Sequence, residues 1–256
     1  MIVRTAPRSN SDSNQVSEVK PASNVFIQSQ KAAEPPYAIV FQAEHSRLAG
    51  ALASGLRPDV FGELPPEVVQ GIGEHDYGWQ ASDQSQIDYL STREPRPFPK
   101  LTTEETIPSW NESVAHGYQL GQLQYVMVSR HFTLLGASDP GRVEFVEAES
   151  RRRSEVEHSL ACRAEDFDRW TAAIGFCDLL SLYLCSGSRE PVEFPLAHPA
   201  DPAASEAPKV TLIWKSDSPQ FSAPILKPGT TASLNGLNYT GQSPELTPVK
   251  VQWTVD

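Results

Sequence analysis

Three histidines and two aspartates are the residues of this 256-residue chain best suited to hold a metal ion. His75 and Asp76 are adjacent in the segment IGEHDYGW, so an imidazole nitrogen and a carboxylate oxygen can be directed at one cation. Asp178 lies in the apolar segment IGFCDLLSLYL, where burying an unpaired carboxylate is costly. His45 and His131 complete the set. Neutral imidazole together with carboxylate suits Zn, Mn, Fe or Co.

Four predicted helices would position these residues. Their apolar residues recur every three or four positions, which is typical of a helix with one buried face. One helix starts at Phe41, and the others span residues 65–78, 114–135 and 167–185. Taken alone, an inward histidine is more often a hydrogen-bonded core residue, and Asp178 alone is equally compatible with an ion pair. Three inward histidines and an inward carboxylate together favour a metal site.

The composition excludes several classes of protein. Net charge is −11 and apolar residues make up 39% of the chain, which is typical of an acidic protein with a packed core. No nucleic-acid polymer is expected as a partner, because backbone binding needs a basic surface. No apolar run approaches the roughly 20 residues of a membrane span, so we expect no membrane partner and a cytoplasmic location. The sequence leaves the oligomeric state open.

Three segments are predicted along the chain. Residues 1–36 are expected to form a short β element, with β-like runs at residues 2–5 and 24–28 and a flexible insertion at residues 6–24. Residues 37–187 are expected to form the helical metal-binding domain, in which residues 80–112 are a long surface excursion. Residues 188–256 are predicted to be a proline-rich connector and a small antiparallel β-unit, with runs at residues 210–214 and 249–255. The expected fold class is therefore mainly α.

Six segments carry a resemblance to a known family. They are MIVR at residue 1, FQAEHSRLAG at residue 41, EHDYGW at residue 74, TREPRPF at residue 92, VSRH at residue 128 and DLLSLYLC at residue 178. In these segments the chain resembles domain-of-unknown-function family 3891 (DUF3891). More broadly, the order of histidines and aspartates resembles the HD-domain superfamily of metal-dependent phosphohydrolases. This resemblance implies an HD-domain-like helical bundle with a small N-terminal β element and a C-terminal β appendage.

The superfamily resemblance also implies roles for the five residues. His45, His75, Asp76 and Asp178 would bind a first metal ion. If a second ion binds, Asp76 would bridge the two and His131 would be the additional ligand. With one ion, His131 would instead hydrogen-bond a substrate phosphate or act as a general acid. Asp76 and His131 are thus the candidate catalytic residues, and the cofactor is one or two ions of Mn, Fe, Zn or Co.

A second group of residues is assigned to a small anionic substrate. Arg47 is close in sequence to His45 and could reach the mouth of the site. Arg93 and Arg96 lie in residues 84–100, a candidate lid with two cations to meet an anion. Trp79 is a candidate pocket wall, and Asp83 a candidate for orienting a water molecule. Surface ion pairing, core packing and solvation are the competing interpretations of these residues.

Three functions remain open at this point. The first is a metal-dependent hydrolase that acts on a small phosphorylated or nucleotide-like substrate through a metal-activated water. The second is an HD-type non-haem di-iron oxygenase, which would need a complete second iron site. The third is a catalytically silent HD-like domain that binds a ligand or a partner protein.

Overall fold

The computed structural model describes residues 1–5, 19–31, 36–90, 95–241 and 246–255. Its helices are α1 (Ala22–Lys31), α2 (Gln42–Gly55), α3 (Pro58–Phe61), α4 (Pro66–Gly73), α5 (Gln80–Asp88), α6 (Thr103–Leu120), α7 (Gln122–Gly136), α8 (Val143–Ser159) and α9 (Ala164–Ser186). Its strands are β1 (Ile2–Thr5), β2 (Lys20–Pro21), β3 (Tyr37–Val40), β4 (Val192–Pro195), β5 (Lys209–Lys215), β6 (Ser218–Phe221), β7 (Thr230–Tyr239) and β8 (Thr247–Val255). Short 3-10 turns lie at Tyr77–Trp79, Phe98–Lys100, Pro140–Arg142 and Pro202–Ser205.

Helix α9 is the centre of the fold. It is apolar around nearly its whole circumference, which is typical of a helix enclosed on all sides, and every residue from Ala173 to Ser186 is buried. Helices α1, α2 and α7 and strands β1 and β4 pack against it. Because α9 contacts both helices and strands, Asp178 in its middle is held where these elements converge.

Two four-stranded sheets overturn the expectation of a mainly helical fold. The described residues are 57% helical and 20% strand, so the fold is mixed α/β rather than a helical bundle with a small appendage. One sheet has the order β1-β3-β7-β8 and is antiparallel throughout. The other has the order β2-β4-β5-β6 and is antiparallel except for the β2–β4 pair. Each sheet joins strands that lie far apart in the chain, and the local pattern of a strand does not indicate which distant strand it pairs with.

Several predicted segments also need correction. The β-like run at residues 24–28 lies inside α1, because Ala22, Val25 and Phe26 have helical spacing and are buried on one side. The predicted helix over residues 114–135 is two helices that meet at Gly121. The surface excursion over residues 80–112 contains α5 and the start of α6, which opens with a capping box between Thr102 and Glu105. Residues 6–18 of the predicted insertion lie outside the described part of the chain.

A close approach of α2 and α4 brings two site-bearing segments together. A Cβ atom at Gly50 would lie 2.6 Å from the Cα atom of Gly73, a distance that forces the backbones apart. The reverse contact is ordinary, because a Cβ atom at Gly73 would lie 3.6 Å from the Cα atom of Gly50. On the same side, the Ser46 hydroxyl donates to the carbonyl oxygen of Gly73 at 2.9 Å. Gly50 therefore sets the spacing between the helix that carries His45 and the turn that carries His75.

Alanine at these two glycines should have opposite effects on stability. Gly50→Ala overpacks the helix contact and should lower the free energy of unfolding by about 1–3 kcal/mol. Gly73→Ala places its methyl group at a normal distance and gains helix propensity, so stability should be unchanged or rise by up to about 1 kcal/mol. Urea unfolding of both variants measures the difference. Equal losses in the two would contradict the described spacing of α2 and α4.

Candidate metal centre

Four elements bring the predicted ligands into one buried cluster. His45 lies in the first turns of α2, and His75 and Asp76 lie in the turn that follows α4. Asp178 comes from the middle of α9, and His131 comes from α7. All five are buried, the most accessible being Asp178 with 7% of its surface exposed. The residues predicted from separate helices therefore meet in the fold.

The ligand atoms lie close enough together to share a cation. The distance from His45 Nε2 to Asp76 Oδ2 is 2.7 Å, and that from His75 Nε2 to Asp178 Oδ1 is 3.4 Å. One potential ligand atom each from His45, His75 and Asp76 lie within 4.8 Å of one another. A second triad, His75, His131 and Asp178, meets the same limit. A metal ion can therefore be held by these residues.

Hydrogen bonds fix the tautomers of His45 and His75. His75 Nδ1 donates to the carbonyl oxygen of Ile72 at 2.7 Å, and because a carbonyl only accepts, the hydrogen must be on Nδ1. The Ser181 hydroxyl donates its one hydrogen to the carbonyl oxygen of Asp178, so it accepts from His45 Nδ1 at 2.8 Å. In the neutral rings Nε2 then carries a lone pair. Because His45 Nε2 lies at hydrogen-bonding distance from Asp76 Oδ2, a proton must lie between these two atoms when no metal ion is bound. Such outer hydrogen bonds commonly orient metal-binding histidines.

An unpartnered nitrogen is the strongest sign that this cluster is suited to bind a cation. His75 Nε2 is fully buried and has no hydrogen-bond partner. Burial lowers the pKa of His75, but the carboxylates of Asp76 and Asp178 outweigh burial and raise it to about 9. Burial raises the pKa of Asp76, while His75 and His45 outweigh that effect and hold it below its usual range. Two carboxylates facing two imidazole lone pairs thus favour positive charge between them, which is the fit expected for a divalent metal.

His131 has a partner that the sequence did not indicate. Its Nδ1 lies 2.9 Å from Nε2 of His198, and both rings are buried. Burial and the neighbouring histidines lower the pKa of His131 well below its ordinary value, and burial lowers that of His198 to about 4. Sequence analysis placed His198 in a proline-rich connector, and no periodicity there signals a buried position. Its role comes from a contact across 67 residues of chain.

A cavity of about 220 Å³ opens beside the cluster. His45, Asp76, His131 and Asp178 form one end of it. Four aromatic side chains line much of the remainder: Trp79, Phe98, Trp110 and Phe132. Two of the lining residues, Gln42 and Trp79, each have a buried side-chain atom without a hydrogen-bond partner, Oε1 and Nε1 respectively. An apolar cavity with an unused acceptor and an unused donor is suited to a small, partly aromatic ligand.

The residues assigned to an anionic substrate are mostly placed elsewhere. Arg47 forms an ion pair with Glu44, and Arg96 forms one with Glu105 at 2.8 Å; neither lines the cavity. Asp83 accepts from the amino group of Met1 and from the backbone N–H of Gln42, so it supports the start of α2. Trp79 lines the cavity. Arg93 lies outside the described residues.

Comparison with known proteins identifies a family but no activity. Residues 29–222 match the family model described as protein of unknown function (DUF3891), and the chain belongs to this family. No curated protein and no solved structure matches the chain. In the part of the chain that the structure describes, no helix combines the length and the apolar character needed to cross a membrane.

Removing the charge of either of two buried aspartates should have different effects on metal affinity. Asp178→Asn removes a carboxylate ligand and should weaken binding of Zn²⁺ or Mn²⁺ by at least about 100-fold. Asp83→Asn removes a buried charge that contacts none of the proposed ligands, so it should lower thermal stability and leave metal affinity within about 2-fold. Titration against a competing chelator indicator measures both affinities. Equal effects on metal binding would show that the assigned ligands are wrong.

Proposed function

We propose that this protein is a metal-dependent hydrolase that acts on a small phosphorylated substrate. The observation that carries the proposal is the buried Nε2 atom of His75, which has no partner and faces the carboxylate of Asp178. A lone pair directed at a carboxylate is repulsive unless a cation lies between them. Asp178 also lines the adjoining cavity, which has room for a small organic molecule.

The chemistry assigned to the site follows from its ligand set. A divalent Mn, Fe, Zn or Co ion supplies an acidic water and a Lewis acid for a phosphoryl oxygen when it is bound. His45 and His75 keep their Nε2 lone pairs available, because Ser181 and Ile72 hold the hydrogens on Nδ1. His131 lines the same cavity as Asp178, and its Nε2 atom lies 3.9 Å from Asp178 Oδ2. The aromatic walls exclude bulk water, which strengthens these electrostatic interactions.

The order of the ligands supports a relation to HD-type phosphohydrolases at the level of the site. A histidine on one helix, an adjacent His-Asp pair after the next and an aspartate on a late helix give the order His45, His75, Asp76 and Asp178. The two sheets set this chain apart from the all-helical arrangement expected from that resemblance. The proposal therefore concerns the metal ligands and the reaction, and it does not extend to the overall fold.

The charges of the cavity favour a substrate with one phosphoryl group. The charges of Asp76 and Asp178 would be balanced by one divalent ion, which leaves little positive charge for a polyanion. Among the lysines and arginines of the described residues, Arg142 alone lines the cavity. Its guanidinium already donates to Asp139 at 2.8 Å and stacks 3.8 Å from the centre of a Trp110 ring. We therefore favour a phosphoester with an aromatic or apolar group over a nucleoside triphosphate.

A di-iron oxygenase is the second candidate, and one observation favours it. His75, His131 and Asp178 form a second triad with ligand atoms within 4.8 Å of one another. Two ions could be held only if His131 presents a lone pair at Nε2. The protonation of that nitrogen therefore separates the two candidate functions.

Aryl phosphates should be hydrolysed when the protein is loaded with Mn²⁺, Fe²⁺, Zn²⁺ or Co²⁺. We expect turnover of p-nitrophenyl phosphate or bis(p-nitrophenyl) phosphate with kcat/KM at least about 10-fold above that for ATP, because the cavity lacks free cations. His75→Gln should abolish this activity by removing a ligand. Release of nitrophenol and of phosphate measures these rates. No turnover of any phosphoester with all four metals would overturn the hydrolase proposal.

Gln42 offers a test of substrate recognition that separates binding from folding. Gln42→Leu removes the unpartnered oxygen of the cavity, so stability should hold or increase while kcat/KM falls about 2- to 10-fold. Gln30→Leu is the matched control, since Gln30 is equally buried and bonds both the N–H and the carbonyl of Val3. It should lose stability and keep its kcat/KM. The reverse pattern would exclude Gln42 from substrate binding.

A further inference from the structure

A chain of hydrogen bonds begins at the backbone of Ala200. The Ala200 N–H donates to His198 Nδ1 at 3.2 Å, so this nitrogen is an acceptor and carries no hydrogen. An imidazole must keep at least one hydrogen, and in His198 it is therefore on Nε2. The tautomer of His198 follows from this contact without reference to the metal cluster.

This series of hydrogen bonds continues into the candidate site through His131. His198 Nε2 lies 2.9 Å from His131 Nδ1, and since His198 is the donor, His131 Nδ1 is the acceptor. The hydrogen of His131 is then on Nε2. This atom lies 3.9 Å from Asp178 Oδ2, too far for a hydrogen bond between them. The tautomer of His131 is thus opposite to those of His45 and His75, which have a hydrogen on Nδ1.

We propose that His198 is a positioning residue that holds His131 as an Nε2–H donor toward a substrate oxygen and prevents it from serving as a second metal ligand. A ligand must offer a lone pair, and His131 in this tautomer offers a hydrogen. An N–H group directed into the cavity can donate to a phosphoryl or leaving-group oxygen, where charge develops during ester hydrolysis. The identity of that oxygen rests on the proposed hydrolase function, whereas the tautomer does not.

The packing around His198 supports a built position rather than a chance contact. Helix α9 has a glycine, Gly175, where the His198 ring crosses it, and a Cβ atom there would lie 2.6 Å from His198 Cδ2. The carbonyl oxygen of His198 accepts from the N–H of Asp201 at 2.9 Å, which fixes the backbone. Only 2% of the surface of His198 is exposed.

The proposal has a direct consequence for the two triads. His45, His75, Asp76 and Asp178 can hold one ion, because both histidines offer lone pairs at Nε2. The second triad includes His131 and would need its ring to lose its only hydrogen. We therefore expect one metal ion for each chain. This number fits a mononuclear hydrolase and argues against a di-iron centre.

Nitrogen-15 NMR of the metal-free wild-type protein tests the tautomers directly. Protonated and unprotonated ring nitrogens give separate shifts, and single His→Gln variants at positions 75, 131 and 198 assign the signals. We expect a hydrogen on Nε2 and none on Nδ1 in both His131 and His198. A hydrogen on Nδ1 of His131 would overturn the proposal.

Two variants of His198 separate positioning from packing. His198→Gln keeps an amide N–H near the position of Nε2, so His131 should retain its tautomer. His198→Leu fills similar space without a donor, so the two tautomers of His131 should mix and phosphoesterase activity should fall about 10- to 100-fold. The glutamine variant should restore most of that activity and bind one metal ion, whereas the leucine variant should admit a second ion. Unchanged tautomer and activity in the leucine variant would reduce His198 to a packing role and overturn the proposal.

Metal counting separates this proposal from the proposed function. One equivalent in the wild type, retained in His131→Gln, supports the assignment of His131 as a donor. Two equivalents, with one lost in His131→Gln, would overturn it. A protein that binds no metal and hydrolyses nothing but keeps the hydrogen on Nε2 of His131 would overturn the hydrolase function and support the role of His198.

Discussion

The electrostatic balance of one buried cluster constrains the rest of the structure. Asp76 and Asp178 lie away from solvent and face imidazole nitrogens whose hydrogens are held on the far side of each ring. Without a cation, these lone pairs and carboxylate oxygens repel one another. A proton can take the central position in the metal-free protein, as the raised pKa of His75 indicates. A divalent metal ion at the same position would carry more positive charge than a proton and would contact more of these nitrogen and oxygen atoms.

The residues of this cluster are held together because distant parts of the chain pack against one helix. Helix α9 carries Asp178 at its centre, and α2 and α7 pack on it with His45 and His131. The contact between Gly50 and Gly73 brings α4 close to α2, and the turn that follows α4 supplies His75 and Asp76. Residues after β4 return to α9 and place His198 against His131. Two kinds of histidine thus coexist in one site, and the outer hydrogen bond of each ring determines what its inner nitrogen can do.

The burial of the candidate metal-binding residues could be predicted from sequence because its signal is local. A histidine or aspartate within an apolar helical stripe, such as His45 or Asp178, is exceptional in its own segment, and burial without a partner is costly. His198 gives no such signal, since its segment is irregular and its partner is 67 residues away. The predicted runs at residues 2–5, 210–214 and 249–255 do lie in strands β1, β5 and β8. Their assembly into two four-stranded sheets was not predicted, because pairs such as β3 with β7 join residues from distant parts of the chain. The run at residues 24–28 was assigned to a strand because a short apolar run does not by itself distinguish helix from strand.

Anomalous X-ray diffraction from crystals of the metal-loaded protein tests the central claim most directly. Data on either side of the absorption edge of the bound metal identify the element and its position. We expect one peak within about 2.0–2.3 Å of His45 Nε2, His75 Nε2 and a carboxylate oxygen from each of Asp76 and Asp178, with His131 Nε2 outside the coordination sphere. Loaded crystals with no peak at this position would contradict the account and identify the cluster as a proton-stabilised network of buried polar groups.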